Sequence, residues 1–182
     1  MKSDRDSAMI VEVRKSYSRQ LGAGLKMLEK TMIAANEGTW LAKIGNMPFC
    51  HLCYHVLWYT DFYFHGDEST FRSPSFHRNS YKDLSPKEQD WLAEIAGFPM
   101  PRDEVLGYHK KVRQTASRFI GEIDGSFYAT PSPFAWHGFP KIDIVDYNLR
   151  HIHHHLGQLN ALLELEQKAG SDWLMFRELE DR

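Results

Sequence analysis

Apolar residues recur at spacings of three and four along most of this chain, and no stretch alternates them convincingly at spacing two. A helix turns about 100° per residue, so this pattern gathers apolar side chains into a stripe that must be buried against another element. Ile10, Val13, Tyr17, Leu21, Leu25, Leu28 and Met32 carry the pattern first, until Gly38 and the stretch Gly45-Asn46-Met47-Pro48 break it. A second helix is predicted over about 49–64, with Gly66 placed to end it. Residues 66–85 are polar and read as a loop, and Ser85-Pro86-Lys87-Glu88 resembles a capping box that opens a short helix to about Ala96. Pro99 and Pro101 precede a third long helix, carried by Val105, Tyr108, Val112, Phe119 and Ile123 and ended by Asp124-Gly125. Pro131, Pro133 and Pro140 make 126–140 a connection, and a fourth long helix follows over about 143–168. Four long amphipathic helices with modest connections predict an all-α bundle, a single domain over residues 1–182.

Composition narrows the function classes. With 42% hydrophobic and 25% charged residues among 182, the chain can bury a real core and is not of disordered type. A net charge of −2, with histidine neutral, gives no electrostatic case for a nucleic-acid partner or an acidic membrane surface. No stretch approaches the ~20 apolar residues of a membrane span. The start, Met1-Lys2-Ser3-Asp4-Arg5-Asp6, lacks the apolar run of a secretory signal. Cys50 and Cys53 are the only cysteines, so there is no disulfide framework and the expected location is cytoplasmic.

Ten histidines are present, four of them between positions 151 and 155. On the fourth helix Ile144, Tyr147, Ile152, Leu159, Leu162 and Leu165 define an apolar arc. His151 and His155, four residues apart, fall about 40° from each other inside it. His153 projects to nearly the opposite side and His154 to the arc's edge. The second helix repeats the anomaly: His55 lies among Leu52, Val56, Tyr59, Phe62 and Tyr63, with His51 one turn earlier. A single inward histidine is more often a satisfied core residue than a ligand. Three of them from two helices call for a common explanation, because an unpaired buried polar group costs on the order of 1–3 kcal/mol. A metal ion supplies that explanation. Neutral imidazole is a good ligand for Zn, Ni, Cu or Fe, and three protein ligands leave one position for water or substrate, as at catalytic zinc.

Two segments carry a family resemblance. The run Tyr147-Asn148-Leu149-Arg150-His151-Ile152-His153-His154-His155-Leu156-Gly157-Gln158-Leu159-Asn160 resembles the last-helix signature of the DinB-like superfamily. The run His55-Val56-Leu57-Trp58-Tyr59-Thr60-Asp61-Phe62-Tyr63 resembles its second-helix motif. The resemblance implies an up-down-down-up four-helix bundle holding a divalent metal ion, zinc or nickel, on His55, His151 and His155. It also implies a metal-dependent transferase or hydrolase acting on a small-molecule substrate, including low-molecular-weight thiols.

Such an ion would act as a Lewis acid or lower the pKa of a bound water or thiol. Gln158, Tyr59 and Asp61 are candidates to support the ligands, Asp61 as acceptor of a ligand's second N–H. His51 is either an auxiliary ligand or a helix-start residue. The motif Cys50-His51-Leu52-Cys53 invites a redox or zinc reading, but lacks the βαβ surroundings and the second ligand pair those functions need. The aromatic loop with Phe127, Tyr128, Phe134, Trp136 and His137 either roofs the site or covers the bundle end. The alternative function is a non-catalytic, metal-containing binding or stress-response protein. A homodimer is the commonest assembly, and Trp173, Leu174, Met175 and Phe176 either supply an apolar patch for one or fold back on the chain.

Overall fold

A computed structural model describes residues 2–45, 47–77, 99–170 and 172–179. The described chain is predominantly helical. Helix α1 spans Lys2–Ala34 and α2 spans Glu37–Leu41, opened by Asn36, whose side-chain oxygen accepts from the Thr39 amide. Strands β1 (Lys43–Ile44) and β2 (Met47–Pro48) pair antiparallel around Gly45, whose positive φ suits a residue without Cβ. Helix α3 covers Phe49–His65, α4 covers Arg102–Glu122 and α5 covers Asp143–Gln167. A 3-10 turn, Gly125–Tyr128, is capped by the Asp124 side chain.

The long helices begin and end where the sequence places the signals. Pro48 and Pro101 precede α3 and α4, where a missing N–H costs nothing. Gly66 stops α3 at φ 76°, and its N–H donates to the Phe62 carbonyl. Helix α2 and the small strand pair lie in a stretch expected only to interrupt the helical pattern. The short helix expected over 85–96 lies outside the described residues.

Helices α1 and α3 each pack along both α4 and α5, and touch one another little. Leu21, Leu25 and Leu28 of α1 enclose the core with Phe49, Leu57 and Phe64 of α3, Val105 and Val112 of α4, and Ile144, Ile152 and Leu159 of α5. Each such side chain contributes about 1.5–3 kcal/mol on burial. Leu165 departs from expectation: placed in the apolar arc of α5, it is 80% exposed. It projects at the same angle as Tyr147, at the margin of the arc. Tyr147 is covered by Tyr63 and His137, whereas Leu165, near the helix end, is left exposed.

Residues 172–179 return along α1 as an extended strap. The Arg177 amide donates to the Arg19 carbonyl, Ser18 Oγ donates to the Glu178 carboxylate, and Leu179 is buried. Gly22 of α1 sits beneath this strap, where a Cβ would overlap the Arg177 carbonyl oxygen. Of the four apolar residues noted near the end, Leu174 packs against the core, whereas Trp173, Met175 and Phe176 are exposed. Among the described residues no helix is long and apolar enough to cross a membrane.

Candidate metal centre

The seam between α3 and α5 brings three imidazoles together. His55 projects from the middle of α3, and His151 and His155 occupy successive turns of α5. One ring nitrogen from each lies within 4.8 Å of the others. The Nε2 atoms of His55 and His151 are 3.0 Å apart. The His155 ring stands edge-on to both, with centroids 4.9 Å from His55 and 4.7 Å from His151. His55 is buried, whereas His151 and His155 are half-buried, so the cluster is closed on the α3 side and less so on the α5 side. His153 and His154 are exposed, as the helical geometry requires.

Burial makes these imidazoles hard to protonate. It holds His55 well below the usual histidine range, with the nearby His151 and His155 adding to the effect. Burial, with His155 and His154 nearby, lowers His151 to about 3. Burial lowers His155 as well, partly opposed by its bond to Gln158. All three therefore stand neutral near pH 7, the form in which imidazole binds a metal. His155 Nδ1–H donates to Gln158 Oε1 at 2.7 Å, which fixes the tautomer and leaves Nε2 as the free donor atom. The Nδ1 atoms of His55 and His151 are buried with no hydrogen-bond partner among the described residues. Three neutral nitrogens converging from two helices can hold a metal ion.

The other candidates fall in several places. Gln158 touches the site directly through His155. Tyr59 lies beside it, its ring 4.7 Å from that of His55 and 5.7 Å from that of His151. His51 is buried one turn before His55 and is not one of the three imidazoles that converge.

Asp61 is not the acceptor for a ligand's N–H. Six residues beyond His55, it projects about 120° away around α3 and meets α4 instead. There it accepts from Tyr108 Oη at 2.8 Å, Thr115 Oγ1 at 2.8 Å and Lys111 Nζ at 3.1 Å.

Cys50 and Cys53 are fully buried, and burial pushes both thiols up, Cys53 well above the usual thiol range with the neighbouring Cys50 adding to the effect. A reactive thiol needs the opposite shift.

The aromatic loop packs on the α3–α5 seam one turn beyond the site. Phe134 meets Phe62 and Tyr63, and His137 stacks on Phe139 and faces Tyr63 and Tyr147. Tyr128 and Trp136 stay exposed.

Two features escaped the sequence reading. Tyr108, Lys111 and Thr115 share one side of α4 and jointly hold the Asp61 carboxylate; their three- and four-residue spacing was the available signal. His109, fully buried between Val105 and Val112, donates from Nε2 to the Leu25 carbonyl at 2.9 Å. The projection that singled out His55 also singles out His109. Comparison of the chain with models of protein families, with curated proteins and with solved structures gives no match.

Proposed function

We propose that this chain is a metal-dependent enzyme of DinB-like type, an up-down-down-up four-helix bundle in which His55, His151 and His155 hold one divalent ion, zinc or nickel. The observation that carries this reading is the approach of three ring nitrogens to within 4.8 Å of one another from two separate helices. The resemblance of residues 55–63 and 147–160 to the family's two motifs supports it from the sequence side. A divalent ion bound by three neutral ligands keeps its full charge and supplies Lewis acidity to a small-molecule substrate.

The chain's own residues prepare the site. Burial keeps the imidazoles unprotonated, Gln158 holds the His155 ring in one orientation, and Tyr59 closes the side toward α3. The half-buried positions of His151 and His155 leave the α5 side for a substrate to approach. The substrate class that fits this reading is a low-molecular-weight thiol and its electrophilic partner, or a hydrolysable ester. The protein works in the cytoplasm as a homodimer, with Trp173, Met175 and Phe176 supplying apolar surface for the contact.

A second reading has its own observation. At 3.0 Å, His55 and His151 Nε2 are also within hydrogen-bond distance, so one neutral ring can donate to the other without an ion, although both Nδ1 atoms then stay without a partner among the described residues. Elemental analysis of untagged protein separates the two. The expected result is close to one zinc or nickel per chain, falling to background in His55→Ala and His155→Ala. Equal metal content in all three proteins overturns the metal reading. Metal retained while thiol-transfer and esterase assays stay silent replaces the enzyme with a non-catalytic binding protein.

A further inference from the structure

Away from the histidines, the outer face of α4 carries two adjoining hollows that share Ser117 and Gly121 as their floor. The larger, about 810 Å³, is bordered by Lys110, Arg113, Arg118 and Leu179. The smaller, about 450 Å³, is bordered by Arg14, Lys15, Ser18 and Glu178. The floor is open, since a Cβ on Gly121 would meet nothing within 4 Å.

Five cations thus border one groove on a chain whose net charge is −2. Three have other work. Arg113 donates to the Glu178 and Leu179 carbonyls, Arg14 donates to the Ile123 carbonyl, and Lys15 pairs with Glu12. Lys110 and Arg118 are exposed and have no acidic partner among the described residues. Among the described residues Glu178 is the acidic residue bordering the hollows, and its carboxylate already accepts from Ser18.

We infer that this groove binds a small, soluble anion bearing several phosphate groups. The argument is charge and shape together. Arginine matches phosphate oxygens with a planar fork, lysine adds a point charge, and clustered cations raise the local concentration of anions. A hollow of about 810 Å³ falls in the size range of small-ligand sites. The groove is bounded by the 172–179 strap, which disfavours an extended nucleic acid lying across it.

The probe is inorganic tripolyphosphate, titrated calorimetrically at low ionic strength. Saturable one-to-one binding is expected, weakened at least tenfold in Lys110→Ala/Arg118→Ala and weakened by added salt. The Gly121→Leu variant fills the floor without changing charge and should weaken binding as well. Matching thermal midpoints show that the variants fold. Because polyphosphates chelate divalent ions, the titration is repeated with His155→Ala, which should bind the probe as tightly as the unaltered chain. Loss of binding in His155→Ala would assign it to the histidine site and overturn the groove. Undiminished binding in both groove variants would do the same, as would the absence of saturable binding. Binding that emerges only after deletion of residues 180–182 would assign the groove to the chain's own Glu180 and Asp181.

Discussion

His155 and His109 are both inward-facing imidazoles, yet their partners differ. His109 ties its Nε2 to a backbone carbonyl of α1, the common resolution for a lone core histidine. His155 ties Nδ1 to the Gln158 amide, leaving Nε2 toward two more rings. If that bond sets the ring for coordination, Gln158→Leu should lower metal affinity about 10–100-fold. Competition against a chromophoric chelator would measure this, and an unchanged affinity would remove Gln158 from the site. Protonation gives a second residue-scale expectation. Unfolded histidines titrate near ~6.5, whereas the folded chain holds His55, His151 and His155 below that value, His151 at about 3. Between these limits the unfolded chain binds more protons, so stability that is present above pH ~6.5 drains away as pH falls toward the folded values. The thermal midpoint of the metal-free protein should therefore drop between about pH 7 and about pH 5. A flat profile would mean the rings are more solvated than their burial indicates. Projection on a helix was enough to pick out the three histidines and Gln158. It did not rank His109, because a period says which side a residue faces and not what waits there.

Helix α3 serves two neighbours with two polar groups. His55 faces α5 and Asp61 faces α4, where it collects the Tyr108 and Thr115 hydroxyls and the Lys111 ammonium. Replacing Asp61 with Ala strands the buried Tyr108 hydroxyl, while Thr115 keeps the Lys111 carbonyl as acceptor, and should cost about 1–3 kcal/mol of stability. Metal content per folded chain should stay unchanged; loss of metal from a folded Asp61→Ala protein would tie that carboxylate to the site after all. The contact of α1 with the strap makes a separate prediction. A methyl group at Gly22 displaces the Arg177 carbonyl, so Gly22→Ala should destabilise by about 1–3 kcal/mol. It should also open residues 172–179 to limited proteolysis. Resistance equal to that of the unaltered chain would show that the strap can shift at no cost. The ends of α3 and α4 were legible because Pro48, Gly66 and Pro101 act locally. The strap was not, since a backbone-to-backbone seat between Gly22 and Arg177 leaves no periodic trace in either segment. Helix α2 and the two short strands were missed because two- to five-residue elements are too brief for periodicity to register.

At the scale of the molecule, the all-α class followed directly from the spacing of apolar residues, and the core is the one those stripes build. The three converging histidines come from α3 and α5 alone, so an ion bound there would staple that one pair of helices. At a free concentration one hundred times its dissociation constant, it would add about 2.7 kcal/mol to the stability of the whole fold. A rise in thermal midpoint on adding zinc or nickel, reversed by chelator and missing from His55→Ala, is the expected result. A rise of equal size in His55→Ala would place the ion elsewhere. The strap carries a different consequence, for the order in which the molecule is made. Ser18 and Glu178 are 160 positions apart in the chain. At about 5–20 residues per second, α1 leaves the ribosome roughly 8–32 s before the residues that cover it. That seam cannot close before residues 172–179 have been made, and until then a nascent α1 must wait with the bed around Gly22 open to whatever else the cell presents.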